Sequence, residues 1–425
     1  MRSCYRLFLC LLVLALVLTM SFGIDPTVCR AADKPEFGSS PNPVGSGARA
    51  LGMGGAFIGV ADDATAASWN PAGLIQLGTP EVSIVGSTYS RSEDGKFSTE
   101  KIDSAPQSVS ETNLNYLSGV YPTDVFGRNI VLSMSYQHLY DFNRKWELSN
   151  FPIGTDSADI SYRQKGGISA LGLSAAMQLS EKISAGLTLN TYNNGLTQNN
   201  WQDTMEIKDS TWRNQDKYTL SGYNANLGLM WMINEEFTVG AVFKTPFRAG
   251  LVHEYPSCDE NNVCQTHKLY EKLYMPMSYG VGVAYRHDDP FTLALDVYRT
   301  HWEQFKHIAA DGTETSAVTN TPVGDADIKP TLQVRLGAEY LLICPKITIP
   351  LRAGVFYDQA PAPQHPDDYY GMSVGTGLAF GRFAWDIAYQ YRWGSNVGSA
   401  LAGKSWNYSQ DVREHTVYTS LIVHL

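Results

Sequence analysis

The stretch RFAWDIAYQYRW, residues 382–393, sets Phe383, Trp385, Ile387, Tyr389, Tyr391 and Trp393 at every second position, with Arg382, Ala384, Asp386, Ala388, Gln390 and Arg392 between them. Successive side chains of a strand point to opposite faces, so this is one strand with a bulky apolar face and a polar, charged one. So many large side chains on one strand are heavy for a soluble sandwich and suit lipid. The alternation recurs outward from this segment. Leu332, Val334, Leu336, Ala338 and Tyr340 alternate with Gln333, Arg335, Gly337 and Glu339. Ile183, Ala185, Leu187 and Leu189 alternate with Ser184, Gly186, Thr188 and Asn190, and Val417, Thr419, Leu421, Val423 and Leu425 run to the C-terminus. Further rows at 81–90, 113–121, 128–140, 168–179, 223–233, 237–244, 279–286, 291–298, 347–357 and 371–380 bring the number to fourteen.

The connections carry as much information. Short links at 122–127, 180–182, 234–236, 287–290, 341–346 and 381 alternate with long polar ones near 91–112, 141–165, 194–215, 249–272, 302–327, 358–368 and 394–411. Short turns at one end and long loops at the other are how an outer-membrane barrel is organised, and closure leaves no unpaired backbone in lipid. The expected fold is all-β, a transmembrane β-barrel of about fourteen antiparallel strands spanning residues 81–425, in the outer membrane of a Gram-negative cell. An even strand number puts both termini in the periplasm and the long loops outside. Tyr121, Tyr140, Trp231, Tyr285 and Trp393 would form interfacial girdles. Pro350, inside a strand, cannot donate to the ladder and implies a bulge or kink.

Composition agrees. Of 425 residues only 17% are charged and 12% are aromatic, with 37 glycines. The formal charge of −10 excludes a nucleic-acid partner, which needs clustered Lys and Arg. Arg2 and Arg6 followed by apolar Leu7–Leu18 read as an export signal over residues 1–31, cleaved after Gly23 or Ala31 and too short to span. No nucleophile elbow, His-Glu-x-x-His or Cys-x-x-Cys occurs, and His253, His267, His307 and His365 are scattered, so neither catalysis, metal nor cofactor is expected. Cys258 and Cys264 flank a polar stretch of one outer loop and are expected to form a disulfide in an oxidising compartment. Trp201, Trp212 and Trp302 are expected as exposed loop aromatics.

Residues 32–80 do not alternate. They are too few for a core of their own and too apolar for a disordered tail, and a barrel of this size has room to enclose them. Gly45-Ser46-Gly47-Ala48-Arg49-Ala50 fits a loose dinucleotide pattern but follows no strand, so nucleotide binding is not expected. Gly47-Ala48-Arg49-Ala50, Met53-Gly54-Gly55-Ala56, Ala61-Asp62-Asp63 and Asn70-Pro71-Ala72-Gly73-Leu74 together resemble the N-terminal hatch of the FadL-like family of outer-membrane channels. That resemblance implies a barrel plugged by this hatch and passive transport of hydrophobic compounds, long-chain fatty acids or aromatic hydrocarbons. It also implies a ligand leaving sideways beside a kinked third strand, with Asn70, Pro71, Ala72 and Gly73 near the gate. The plainer account is that Pro71 and Gly73 turn the chain into the first strand. Two departures stand out. The third strand, 128–140, holds neither Gly nor Pro, and Lys244, Arg286, Asp296, Arg335, Glu339, Arg352, Asp386 and Arg392 fall on the inward face. Arg335, Arg352 and Arg392 could hold a carboxylate head group, or the charges could simply pair. A similar hatch motif occurs in PorV-type secretion barrels, so a secretion partner and a porin for small polar solutes are the alternatives. The expected partners are the bilayer and a hydrophobic small molecule, with the protein a monomer.

Overall fold

The computed structural model describes residues 40–425 other than 43–44, 98–101, 103, 105, 126, 154–155, 210–212, 259–263, 289 and 402–407; residues 1–31, expected as an export signal, and Trp212 lie outside the described residues. Fourteen antiparallel strands form one closed barrel. They are β1 (Glu81–Lys96), β2 (Gln107–Val125), β3 (Arg128–Asp141), β4 (Asp156–Gln178), β5 (Ile183–Asn193), β6 (Arg213–Met232) and β7 (Phe237–Lys244), then β8 (Ser278–His287), β9 (Phe291–Thr300), β10 (Thr331–Ile343), β11 (Thr348–Asp358), β12 (Tyr370–Phe380), β13 (Phe383–Val397) and β14 (Ser409–His424). Each of the fourteen alternating rows falls on one of these strands. The cylinder closes where β1 pairs with β14 from Glu81↔His424 to Lys96↔Ser409. Leu173, Tyr223, Met372, Trp385 and Leu421 lie exposed on its outer surface, where alternation put them.

Three features differ from the sequence expectation. The long connections at 141–165, 194–215 and 249–272 are largely strand. Arg144–Ile153 pairs with the first half of β4, and Asn199–Ile207 bridges β4 and β6. Phe247–Cys258 and Cys264–Met275 form a hairpin beyond Pro246 and Pro276. Both faces of these ribbons carry polar residues, as in the ion pairs Lys268–Glu254 and Arg213–Glu206, so no apolar alternation marks them. Second, Pro350 makes no bulge, although the β11–β12 pairing is interrupted at Ile349 and Pro350. Thr348↔Ala379 and Leu351↔Thr376 keep a single register, and the Thr376 hydroxyl donates to the Pro350 carbonyl at 2.9 Å. Third, Trp201 and Trp302 are 3% and 1% exposed, so they are interior rather than exposed loop aromatics.

Residues 45–77 occupy the lumen as a compact run of short turns: helices Ala48–Gly52 and Ala66–Trp69, then a 3-10 turn Pro71–Gln76. Met53, Phe57, Ile58 and Leu74 are fully buried, and Phe57 meets Trp69 edge to face at 5.7 Å. What admits this segment is a belt of inward glycines. A Cβ on Gly186 would lie 2.3 Å from the Pro71 carbonyl carbon, on Gly228 2.8 Å from Ala72 N, on Gly240 2.2 Å from Ile58 O. On Gly282 it would lie 2.8 Å from Gly59 N, on Gly337 2.1 Å from Met53 O, and on Gly354 2.2 Å from Gly54 N. These glycines are register partners in pairs: Gly186↔Gly228, Gly240↔Gly282 and Gly337↔Gly354. A strand glycine often marks where another backbone comes close, and here six of them let a segment lie against the wall.

Gly337→Ala should therefore lower stability by about 1–3 kcal/mol through overpacking. Gly119→Ala is the control, since nothing lies within 4 Å of its Cβ. Heat-dependent mobility of the folded barrel on gels reads both; equal midpoints for the two variants would contradict the belt.

Candidate functional site

At the long-loop end the ribbons fold over the barrel and enclose a cavity of about 190 Å³. Its walls are Phe142, Ile168, Trp201, Tyr218, Leu251, Leu273, Met275 and Phe305, with His253, Glu271 and His307 on one side. Aromatic packing builds this wall. Trp201 stacks on Tyr218 at 5.1 Å, Tyr218 on His253 at 4.4 Å, and Phe142 tilts against Trp201 at 5.0 Å. Register explains the stack, because His253 is the direct partner of Tyr218 across the seam between the ribbon and β6, and Tyr218 that of Trp201. His253 Nε2 bonds Asp216 at 2.8 Å, and Glu271 lies 3.7 Å from His253 Nδ1 and 3.0 Å from His307 Nε2. Burial would lower the His253 pKa, but bonds to Asp216 and Glu271 outweigh it and hold it at about 9. Burial likewise opposes ionisation of Glu271, yet the two imidazoles hold its pKa at about 2. Farther out on the hairpin, Cys258 and Cys264 are direct register partners, and Cys264 is disulfide-bonded.

Below the mouth a cavity of about 60 Å³ shares Ile168 and Met275 with it and is lined by Leu139, Tyr140, Tyr192, Lys244 and Tyr298. A third, of about 140 Å³, shares Asn42, Gln137 and Leu139 with the second and lies over Gly45, Gly47, Leu51 and Gly55. This third cavity reaches the wall at Asn113, Asn115, Gln137, His138 and Asp141. There the wall parts. Pairing of β2 with β3 runs from Val125↔Arg128 up to Tyr116↔Gln137 and stops. Above that point β2 pairs with β1, one extra residue, Asn115, sitting between Tyr116↔Val85 and Leu114↔Gly86. Likewise β3 pairs with β4, an extra residue, Leu139, sitting between His138↔Ser169 and Tyr140↔Ile168. Two bulges thus pull neighbouring strands apart with no glycine or proline at either bulged residue, because a bulge needs only one extra residue. Asn113 donates to Asp141 across the parting at 3.2 Å. Leu114 and Leu117 on the outer face of β2 are 43% and 42% exposed, so the parting begins within the lipid-facing apolar band.

The lumen charges form networks. Arg49 of the N-terminal segment binds Glu339 at 2.8 Å and Asp62 at 2.6 Å, and Asp62 reaches Arg286 at 3.0 Å. Arg352 is held between Glu339 and Asp386, 2.6 Å from each. Arg392 lies 3.0 Å from Asp358 and 2.9 Å from Glu414, its guanidinium 3.7 Å over the Tyr369 ring. Arg335 donates to the Gly54 carbonyl at 2.8 Å and packs on Phe356. Arg335 Nε and Arg392 Nη2 are buried without a hydrogen-bond partner among the described residues. Asp296, missed as a docking group in the sequence, accepts from the backbone N–H groups of Phe57 and Ile58 at 2.6 and 2.8 Å. Asn70 is fully buried. Its side chain donates to Ile58 O and Leu229 O and accepts from Ala72 N, which starts the Pro71–Gln76 turn. Pro71 and Ala72 therefore lie against β5 and β6, and Gly73 lies under Ala61.

A closed barrel with a filled lumen, an aromatic mouth and a parted wall matches one family model, "Outer membrane protein transport protein (OMPP1/FadL/TodX)", over residues 44–417. The chain belongs to the OMPP1/FadL/TodX family. Its barrel resembles a Pseudomonas aeruginosa FadL homologue, at 14% identity and TM-score 0.62 over 91% of this chain and 100% of that one. It also resembles the Pseudomonas putida toluene transporter TodX, at 13% identity and TM-score 0.59 over 90% and 98%. The CymD monoaromatic hydrocarbon channel is similar at 16% identity and TM-score 0.55, again over 90% and 98%. No curated relative matches it in sequence. The family places the barrel in the outer membrane as a transport protein for hydrophobic compounds.

The histidine–carboxylate cluster predicts a pH response confined to the ribbons. Because the folded His253 pKa is raised, its stabilising contribution is full below the ordinary 6.5 and is lost as pH rises through about 9. NMR titration of His253 should give a midpoint near 9, falling in Asp216→Asn. A wild-type midpoint at 6.5 would contradict the cluster geometry.

Proposed function

We propose that this protein is a passive outer-membrane channel for small hydrophobic molecules, single-ring aromatic hydrocarbons foremost, taken up at the long-loop end and released sideways between β2 and β3. The observation carrying this reading is the run of three cavities, joined by shared lining residues, from the aromatic mouth to the parted wall without crossing residues 45–77. The mouth volume supports a ring over a long acyl chain, since an apolar cavity of about 150 Å³ is enough to admit benzene. The long loops face outward, both termini lie in the periplasm, and the channel works as a monomer. No cofactor is needed, because the ligand moves down its own gradient and the bilayer is its sink.

In this reading residues 45–77 are a hatch that blocks ions and water, and the turn Asn70-Pro71-Ala72-Gly73 pins its end to β5 and β6. A filled lumen disfavours the porin alternative. A second reading rests on Arg335 Nε and Arg392 Nη2, buried beside the third cavity with no hydrogen-bond partner among the described residues: a carboxylate head group would complete them and make a fatty acid a ligand. Arg352, held between two carboxylates, is less available.

The test is uptake of radiolabelled toluene and of a long-chain fatty acid by cells lacking such channels. Asn113→Cys with Asp141→Cys, oxidised, closes the parting. Uptake should fall at least about tenfold and return on reduction. Full uptake through the locked wall, or a steady open-pore current in a planar bilayer, would refute the proposal.

A further inference from the structure

Glu271 is an odd residue to find in an aromatic cavity. Its side chain is only 6% exposed, yet it lines the mouth alongside Trp201, Tyr218 and Phe305. A buried carboxylate is kept only where its oxygens are matched. Oε2 is matched by His307 Nε2 at 3.0 Å and faces His253 Nδ1 at 3.7 Å, whereas Oε1 has no partner among the described residues. Trp201, on the same cavity wall, is a second unmatched group: its indole Nε1 is buried and finds no acceptor among the described residues. One cavity therefore holds a spare acceptor and a spare donor on largely hydrocarbon walls.

We propose that the mouth cavity selects ring compounds carrying a neutral hydroxyl or similar donor, phenols being the type, with Glu271 Oε1 accepting the ligand's hydrogen bond. The inference rests on the transport reading and names its substrate class. A phenolic O–H is suited to both spare groups, since it donates to Glu271 and its oxygen accepts from Trp201 Nε1, while the ring packs among Phe142, Leu273 and Phe305. An unsubstituted hydrocarbon enters too, but leaves both groups unmatched, and a site built to bond a hydroxyl disfavours the analogue without it. An aromatic carboxylate fares worst. Asp216 and Glu271 bring two carboxylates to the cluster, His253 and His307 are already engaged with them, and a third carboxylate adds repulsion.

The experiment is equilibrium binding of p-cresol, toluene and 4-methylbenzoate to the purified full chain in detergent, followed by calorimetry. In the wild type p-cresol should bind about tenfold tighter than toluene, the gain expected of one hydrogen bond to a charged group, and 4-methylbenzoate weakest. Glu271→Met, of similar volume, should bring p-cresol down to the toluene value and leave toluene unchanged. Trp201→Phe, a gentler variant that keeps the ring stack, should take away part of the same preference. Equal binding of p-cresol and toluene by the wild type, or a p-cresol preference that survives Glu271→Met, would overturn the inference. Toluene uptake by whole cells reads transport separately: a binding preference without uptake would support the selectivity and count against the transport reading alone.

Discussion

Close contact between two backbones is the constraint on which this molecule depends. A fourteen-stranded barrel encloses more space than its own inward side chains fill. Here that space is taken by residues 45–77, seated at van der Waals distance on six inward glycines. The seat fixes depth and orientation together. Ile58 O rests at Gly240, Gly54 N at Gly354 and Pro71 at Gly186, on different sides of the barrel, so the segment cannot slide along one wall without striking another. Asp296 on the Phe57 and Ile58 amides, and Ser373 between Gly52 O and Gly54 N, satisfy backbone groups that a non-helical turn would otherwise bury unpaired.

The charged lumen follows from the same seat. Arg49 links the segment to Glu339 and Asp62, and the chain of pairs continues through Arg352 to Asp386. Buried pairs contribute little net stability, but removing one member leaves an uncompensated charge and is strongly unfavourable. They therefore act as a register device: a segment seated elsewhere would take Arg49 from Glu339 and the Phe57 and Ile58 amides from Asp296. The third cavity lies between these charges, at Arg335, Asp358, Arg392 and Glu414, and the parting of β2 from β3.

The barrel was legible because lipid forces apolar side chains to every second position. Strand number, order and the inward parity of Arg335, Glu339, Arg352, Asp386 and Arg392 all follow from that period. Their ion pairs did not follow, because partners such as Asp358 and Glu414 stand on other strands and depend on register. The glycine belt left a readable trace, since Gly186 and Gly337 interrupt the polar face of otherwise alternating rows, and only their purpose was hidden. The outer ribbons carried little signal, because polar residues interrupt both faces and their few inward apolar residues, such as Leu251 and Leu273, make no long row; for that reason Trp201 and Trp302 read as exposed when they are interior. Pro350 breaks the pairing on one edge only: its β10 edge stays in register, and on the other edge the Thr376 hydroxyl takes the carbonyl, so no bulge forms. The parting of β2 from β3 rests on single extra residues, Asn115 and Leu139, which look like any others in a strand.

Together these features describe a wall that parts beside the filling, where Ser46 donates to the bulged Asn115 at 2.6 Å. The central claim is that a hydrophobic ligand travels along the three cavities and never through the seated segment. Crystals soaked with 4-bromotoluene test it most directly, because bromine can be located by its anomalous signal. The account predicts peaks beside Trp201 in the mouth, near Leu139 at the junction, and at Asn113 in the parting. Bromine lodged between residues 45–77 and the glycines of β5 to β8, with none at Leu139 or Asn113, would contradict it.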